Sequence, residues 1–217
     1  MGSREQQQIV ILGAGGTGLL IADSISRIPG KHAIGFLDDD AKKRRLGHAG
    51  LPVFGAMSSW KNLPAEYSFI SSLYGPKKNV EFFQKIKSLG IPEIRWATVV
   101  DATAIVSPLA TLGYGTYVGP ATILEPNVSL SNWCAMLGRV YVAHDTRMGD
   151  YVTCANSVSI AGRVTIGVAA FIGANATVRE RTQIGANALV GMGCVVIRDV
   201  PNGQIIVGNP GRILPNR

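Results

Sequence analysis

The chain has 217 residues, 47% hydrophobic and 16% charged, with a formal net charge of +7. This composition suits one or two globular domains with a real core, and no apolar run approaches a membrane span. The opening residues lack the apolar stretch of a signal peptide, so a cytoplasmic protein is expected. The one dense basic run, Lys42-Lys43-Arg44-Arg45, comes without the motifs or interleaved aromatics of a nucleic-acid binder. Neither nucleic acid nor a membrane is an expected partner.

Gln8 to Leu12 is a short apolar run ending in Gly13-Ala14-Gly15-Gly16-Thr17-Gly18, and Leu20, Ile21, Ile25 and Ile28 then recur at helical spacing. Strand, glycine turn and helix place free N–H groups where an anion can sit. Gly13, Gly15, Gly16 and Thr17 are therefore candidate substrate-binding residues. Ala33 to Leu37 reads as a second strand, followed by Asp38-Asp39-Asp40 about 20 residues past the glycine turn, where an acid takes a ribose hydroxyl. Asp38 and Asp39 join the candidate nucleotide site. A helix is expected near Met57–Asn62, a strand at Tyr67–Leu73 and a helix over Lys77–Leu89 with Val80, Phe83, Ile86 and Leu89 on one face. A last strand, Ile94–Ala97, leads onward. Residues 1–98 thus form a small Rossmann-like α/β domain, short for a complete dinucleotide-binding domain.

From Val100 to Pro201 the chain repeats every six residues. Seventeen successive large positions, beginning Val100, Val106 and Leu112, are all apolar, and the residue four places after each is small or β-branched. Six matches neither a helix nor a plain strand; it is the period of a parallel β-helix, in which three repeats close one coil of eighteen residues. Glycines follow the large position at Gly113, Gly119, Gly149, Gly167, Gly173, Gly185 and Gly191, where a sharp corner is expected to need a residue without a Cβ. Cys134, Cys154 and Cys194 fall on inward positions and read as small core residues. No cluster of metal ligands is visible, so no catalytic metal is expected.

His144, in Val142-Ala143-His144-Asp145, is the only histidine after residue 48, and it sits two places past an inward position. It therefore lies outside the core. An imidazole is suited to take a proton near neutrality, and an adjacent carboxylate fixes its tautomer. His32 and His48 read as surface or nucleotide-domain residues.

The repeat resembles that of the hexapeptide-repeat acyltransferases, which implies a left-handed parallel β-helix over residues 99–217. The closing Val207-Gly208-Asn209-Pro210-Gly211-Arg212 resembles their final motif, with Gly211 where alanine is usual. The GAGGTG turn, FLDDD, the repeat, the His-Asp pair and GNPGR, in that order, resemble the NeuD/PglD-like sugar acyltransferases. The resemblance implies a homotrimer with sites between neighbouring prisms, acetyl-CoA along the prism and a nucleotide sugar on the N-terminal domain. It implies His144 as general base and Asp145 as its orienting partner, where relatives often carry Glu. Gly162, Gly173, Ala174 and Gly191 fall where the coenzyme is expected, Arg212 near its phosphates, and Thr153 where some relatives have a second histidine. Thr17 replaces another histidine of the glycine turn. The expected reaction is N-acetylation of a nucleotide-linked 4-amino-4,6-dideoxy sugar by direct attack, with the Gly162 N–H at the developing oxyanion. The alternatives are a sialic-acid-type O-acetyltransferase and a non-catalytic β-helix scaffold.

Overall fold

The computed structural model describes residues 6–215, except the side chains of Arg45 and Leu46; the first five residues lie outside it. In the N-terminal unit, β1 (Gln7–Leu12), β2 (Lys31–Leu37), β3 (Val53–Gly55) and β4 (Ser68–Ser71) form a parallel sheet of order β3-β2-β1-β4. Helix α1 (Gly16–Ser26) packs Ile21 and Ile25 onto it. The basic run lies in a short helix, α2 (Ala41–Leu46), whose start is capped by the Asp40 carboxylate accepting from the Lys42 N–H. Met57–Asn62 is a 3₁₀ turn, and α3 spans Asn79–Ser88.

Two local expectations are corrected. Val80 is exposed; the buried side of α3 carries Asn79 and Ile86, with Phe82 and Phe83 packed partly into the core. Ile94–Ala97 is not a strand: Pro92 starts a 3₁₀ turn over Glu93–Arg95, Ile94 is 92% exposed, and only Trp96 bridges to Phe69.

From Val99 onward the repeat builds a three-sided prism. Two-residue strands stack with a register of eighteen, Val100 on Val118, Val106 on Leu124, Leu112 on Leu130, and so on upward. Three parallel sheets result. The first begins at Val99–Val100, the second at Ile105–Val106 and the third at Thr111–Leu112. Large inward residues from Val118 to Val196 make one continuous core, each contributing roughly 1.5–3 kcal/mol. Cys134, Cys154 and Cys194 are buried within it and unpaired.

The glycines do not make the corners. At Gly119, Gly167 and Gly173 a Cβ would lie 2.3–2.5 Å from backbone atoms of the coil above, so glycine permits close stacking. The left-handed corner comes two residues later, recurring every six residues from Gly115 to Gly193. All twelve positions between carry side chains, Asp145 (φ 61°), Tyr151 (60°) and Arg163 (61°) among them. Such a conformation costs a non-glycine about 1–2 kcal/mol, which the stacked core offsets.

The N-terminal unit is docked on the first sheet and its flanking edges. Asn79, buried at the start of α3, donates from Nδ2 to the carbonyls of Tyr151, Ala169 and Ala170 at 3.1, 3.2 and 3.3 Å. Tyr151 donates to the Leu73 carbonyl, Ser24 and Tyr117 share a buried hydroxyl contact of 2.8 Å, and Arg27 pairs with buried Asp101. Rings from both units interleave, Tyr74 on Tyr151 and Phe83 on Trp133.

Candidate active site

The glycine turn divides by role. A Cβ at Gly13 would lie 2.6 Å from Ser72 Oγ, and one at Gly18 would lie 2.4 Å from the Gly13 carbonyl; these two glycines serve packing. Gly15 and Gly16 have nothing within 4 Å of a Cβ and face open space. No side chain caps α1, and its first helical bond runs from the Leu19 N–H to the Gly15 carbonyl. The N–H groups of Gly16, Thr17 and Gly18 are therefore left for a ligand. Asp38 is largely spent inside the protein. It accepts from the Ala14 N–H at 2.7 Å and the Asp40 N–H at 2.8 Å and pairs with Lys43 at 3.1 Å, so it clamps the turn. Burial opposes its charge, but these donors hold its pKa below the usual carboxylate range. Asp39 is more exposed, accepts from the Met57 N–H and pairs with Lys85, which lowers its pKa. His48 was not singled out for this site by its sequence context. The hairpin-like bridge to Leu51 brings its Nε2 to 3.3 Å from the Gly15 carbonyl and its ring edge-on to Phe36.

The second constellation stands on the edge between the second and third sheets. Strand Tyr141–Val142 delivers His144 to that corner, and the left-handed Asp145 turns its carboxylate back beside the ring. His144 Nδ1 lies 2.8 Å from Asp145 Oδ2. One coil below, Asn127 Nδ2 donates to Asp145 Oδ1 at 3.0 Å; one coil above, Arg163 Nε is 3.7 Å from Oδ2. The His144 and Asn127 contacts lead in holding Asp145 below the usual carboxylate range. With Nδ1 turned to the acid, Nε2 is the free nitrogen. Gly162 sits directly against it, since a Cβ there would lie 3.0 Å from Nε2. The Gly162 N–H donates to no protein acceptor among the described residues.

Glu125 was missed from sequence because it lies 19 positions before the histidine and belongs to no short motif. The eighteen-residue coil brings it beneath His144, whose backbone N–H donates to Glu125 Oε2 at 3.0 Å, while the Tyr141 hydroxyl donates to Oε1. Those two bonds, Tyr141 first, lower its pKa.

The remaining expected residues lie elsewhere. Thr153 is fully buried on the first sheet, and its hydroxyl donates to Asn79 Oδ1 at 3.2 Å, so within this chain it docks α3. Gly173, Ala174 and Gly191 line the edge between the first and second sheets, and Arg212 is exposed on a strand added to the first sheet. Leu20 of α1 lies near Leu137 and Asn156 on that same edge. Within one chain, the glycine-turn helix and these glycines therefore share one edge, and His144 and Gly162 occupy another. The buried thiols offer no nucleophile; burial pushes Cys134 up to about 12.

Residues 8–85 match the PglD N-terminal domain family. The chain is 36% identical over 120 residues to GDP-perosamine N-acetyltransferase of Escherichia coli O157:H7, a match covering 53% of this chain and 49% of that protein. It is 30% identical over 115 residues to an acyl-[acyl-carrier-protein]–UDP-N-acetylglucosamine O-acyltransferase of Sinorhizobium fredii, covering 52% and 43%. The chain thus spans about half or less of the length of the curated relatives it matches. Among solved structures it is similar to the acetyltransferase domain of PglB from Neisseria gonorrhoeae (TM-score 0.85, 24% identity, covering 96% of this chain and 100% of that one). It is likewise similar to PerB from Caulobacter crescentus in complex with CoA and GDP-perosamine (0.82, 24%, 96% and 97%). WeeI from Acinetobacter baumannii also matches (0.79, 26%, 96% and 100%). The fold is that of these solved structures, over both the N-terminal unit and the prism.

Proposed function

We propose that this protein transfers an acetyl group from acetyl-CoA to the 4-amino group of a nucleotide-linked 4-amino-4,6-dideoxy sugar. The observation that carries the reading is the Asn127–Asp145–His144 chain, which leaves Nε2 free against Gly162. Acetyl-CoA supplies the reactive thioester. His144 Nε2 accepts the proton that the sugar nitrogen loses as it attacks the thioester carbonyl, Asp145 stabilises the imidazolium that forms, and as the C–S bond breaks the CoA sulfur takes that proton and leaves as the thiol. The Gly162 N–H faces the carbonyl oxygen as negative charge develops on it. Gly15, Gly16 and Thr17 receive the nucleotide phosphates and Asp39 its ribose; Gly173, Ala174, Gly191 and Arg212 contribute to the coenzyme. PerB, solved with CoA and GDP-perosamine, and the N-acetyltransferase relative support this substrate class.

A second chain completes the site in this reading. The glycine turn and His144 stand on different edges of one prism, with the second sheet between them. That sheet exposes Ile105, Ile123 and Tyr141, apolar surface suited to prism–prism packing. A homotrimer would bring one copy's His144 edge to the next copy's glycine turn.

The test is thiol release from acetyl-CoA with GDP-, UDP- and dTDP-linked 4-amino sugars and with free sialic acid. Turnover on one nucleotide amino-sugar, lost about a thousandfold in His144→Asn as befits removal of a general base, is expected. Turnover on sialic acid alone would replace N- by O-acetylation, and turnover undiminished in His144→Asn would remove the proposed base.

A further inference from the structure

Glu125 carries a charge that its place in the corner does not need. Its two oxygens accept from neutral donors only, Oε2 from the His144 backbone N–H at 3.0 Å and Oε1 from the Tyr141 hydroxyl. Among the described residues no lysine, arginine or histidine side chain comes within 4.0 Å of it. Asp145, the other carboxylate of this corner, is turned to His144 and approached by Arg163. A carboxylate offers about four acceptor sites, so half-buried Glu125 keeps about two of them open, together with its full charge. Tying the corner calls for no acid. One coil above, the equivalent Gly162 N–H has no protein acceptor among the described residues, and the residues stacked above Glu125 in the next two coils are Ala143 and Ala161. In a chain of net charge +7, a carboxylate left without a cation beside the base is placed for one that arrives from outside.

We propose that Glu125 receives the positive charge of the acceptor nitrogen, docking the substrate as its ammonium and so selecting an amino sugar over a hydroxyl acceptor. The inference rests on the acetyl-transfer reading and adds to it the residue that decides nitrogen over oxygen. An aliphatic amine is mostly protonated near neutrality, whereas a sugar hydroxyl is neutral there. An ammonium N–H on a carboxylate makes a charge-assisted hydrogen bond, about twice as strong as a neutral one. A hydroxyl in the same place gains less and leaves the acid without a counter-charge. The carboxylate is one backbone N–H away from the residue that carries the base. A nitrogen held by Glu125 from below therefore meets, at His144, a thioester set against Gly162 from above. Before attack the ammonium gives one proton to the water at the exposed edge. The second passes to His144 and on to the coenzyme sulfur, so one proton is released for each amide formed.

The test compares the full-length protein with Glu125→Gln, which keeps the shape of the side chain and removes its charge. Dissociation constants are measured near neutral pH for GDP-, UDP- and dTDP-linked 4-amino sugars and for the 4-hydroxy counterpart of each. Steady-state constants are measured for those that turn over. The unaltered protein should bind its amino sugar about tenfold tighter than the hydroxy counterpart, the scale of a hydrogen bond to a charged group. Glu125→Gln should erase that preference by weakening the amino sugar about tenfold and leaving the hydroxy counterpart as it was. KM should rise for the amino sugar and stay level for acetyl-CoA. Equal weakening of both sugars would reduce Glu125 to a tie for the corner and overturn the proposal. So would a preference that survives in Glu125→Gln, or the lack of one in the unaltered protein. Absence of thiol release by the unaltered protein with every nucleotide amino sugar would instead sink the acetyl-transfer reading on which this one stands.

Discussion

His144 is served by groups from three successive coils: Glu125 and Asn127 below, Asp145 beside it, Gly162 and Arg163 above. The histidine and its acid are legible in the sequence as neighbours, and so is Gly162 once the period of eighteen is applied. Glu125 is not, because a side chain that bonds a backbone N–H one coil away leaves no pattern of residue types. Removing it should release the corner. Glu125→Gln keeps the shape but removes the charge and should lower kcat about tenfold, with KM for acetyl-CoA little changed. Asp145 and Glu125 are both held below the usual carboxylate range and stay ionised near neutrality. Asp145→Asn removes the charge held beside His144 Nδ1 and should lower kcat about tenfold or more, read from steady-state rates. Gly162→Ala would press a methyl within about 3.0 Å of Nε2 and should cost activity while leaving the melting temperature nearly unchanged.

At the scale of elements, the hexad pattern predicts the prism strand by strand, because inward residues must be apolar wherever coils stack. It misplaces the corners for a physical reason. Glycine follows the large position where backbone meets backbone, and the left-handed turn falls two residues on, at side chains that the sequence gives no cause to suspect. The same limit hides Thr153. The family resemblance marks it for the coenzyme, but only the placement of α3 reveals that Asn79 covers it. Asn79→Ala leaves the Thr153 hydroxyl and the Tyr151 and Ala169 carbonyls without their partner and should destabilise the protein by about 1–3 kcal/mol, measured by denaturant unfolding.

Over the whole molecule, docking of the N-terminal unit on the first sheet depends on Arg27 and Asp101. Burial alone would raise the Asp101 pKa, yet the Ser24 hydroxyl and Arg27 hold it far below the usual range. A carboxylate depressed on folding contributes stability above its unfolded pKa and loses it only as the pH falls towards the folded value. The junction should therefore hold through mildly acid solution and weaken in strong acid, and Asp101→Asn should flatten that dependence in thermal melts taken across acid pH. The two domains and their order are legible from composition and repeat, whereas the edge on which each half of the site stands appears only in three dimensions. Mixed assemblies test that division. Copies bearing His144→Asn, combined with copies bearing Gly15→Val and Gly16→Val, should regain part of the activity that each lacks alone, as measured by thiol release after co-refolding.

The separation of the two edges also sets a working range of concentration. On the proposed reading, a solitary chain would hold its nucleotide cradle and its base on separate edges and would be inert until it meets another. Specific activity should then decline on dilution below the point at which the assembly comes apart, and a crowding agent or a covalent link between subunits should restore it.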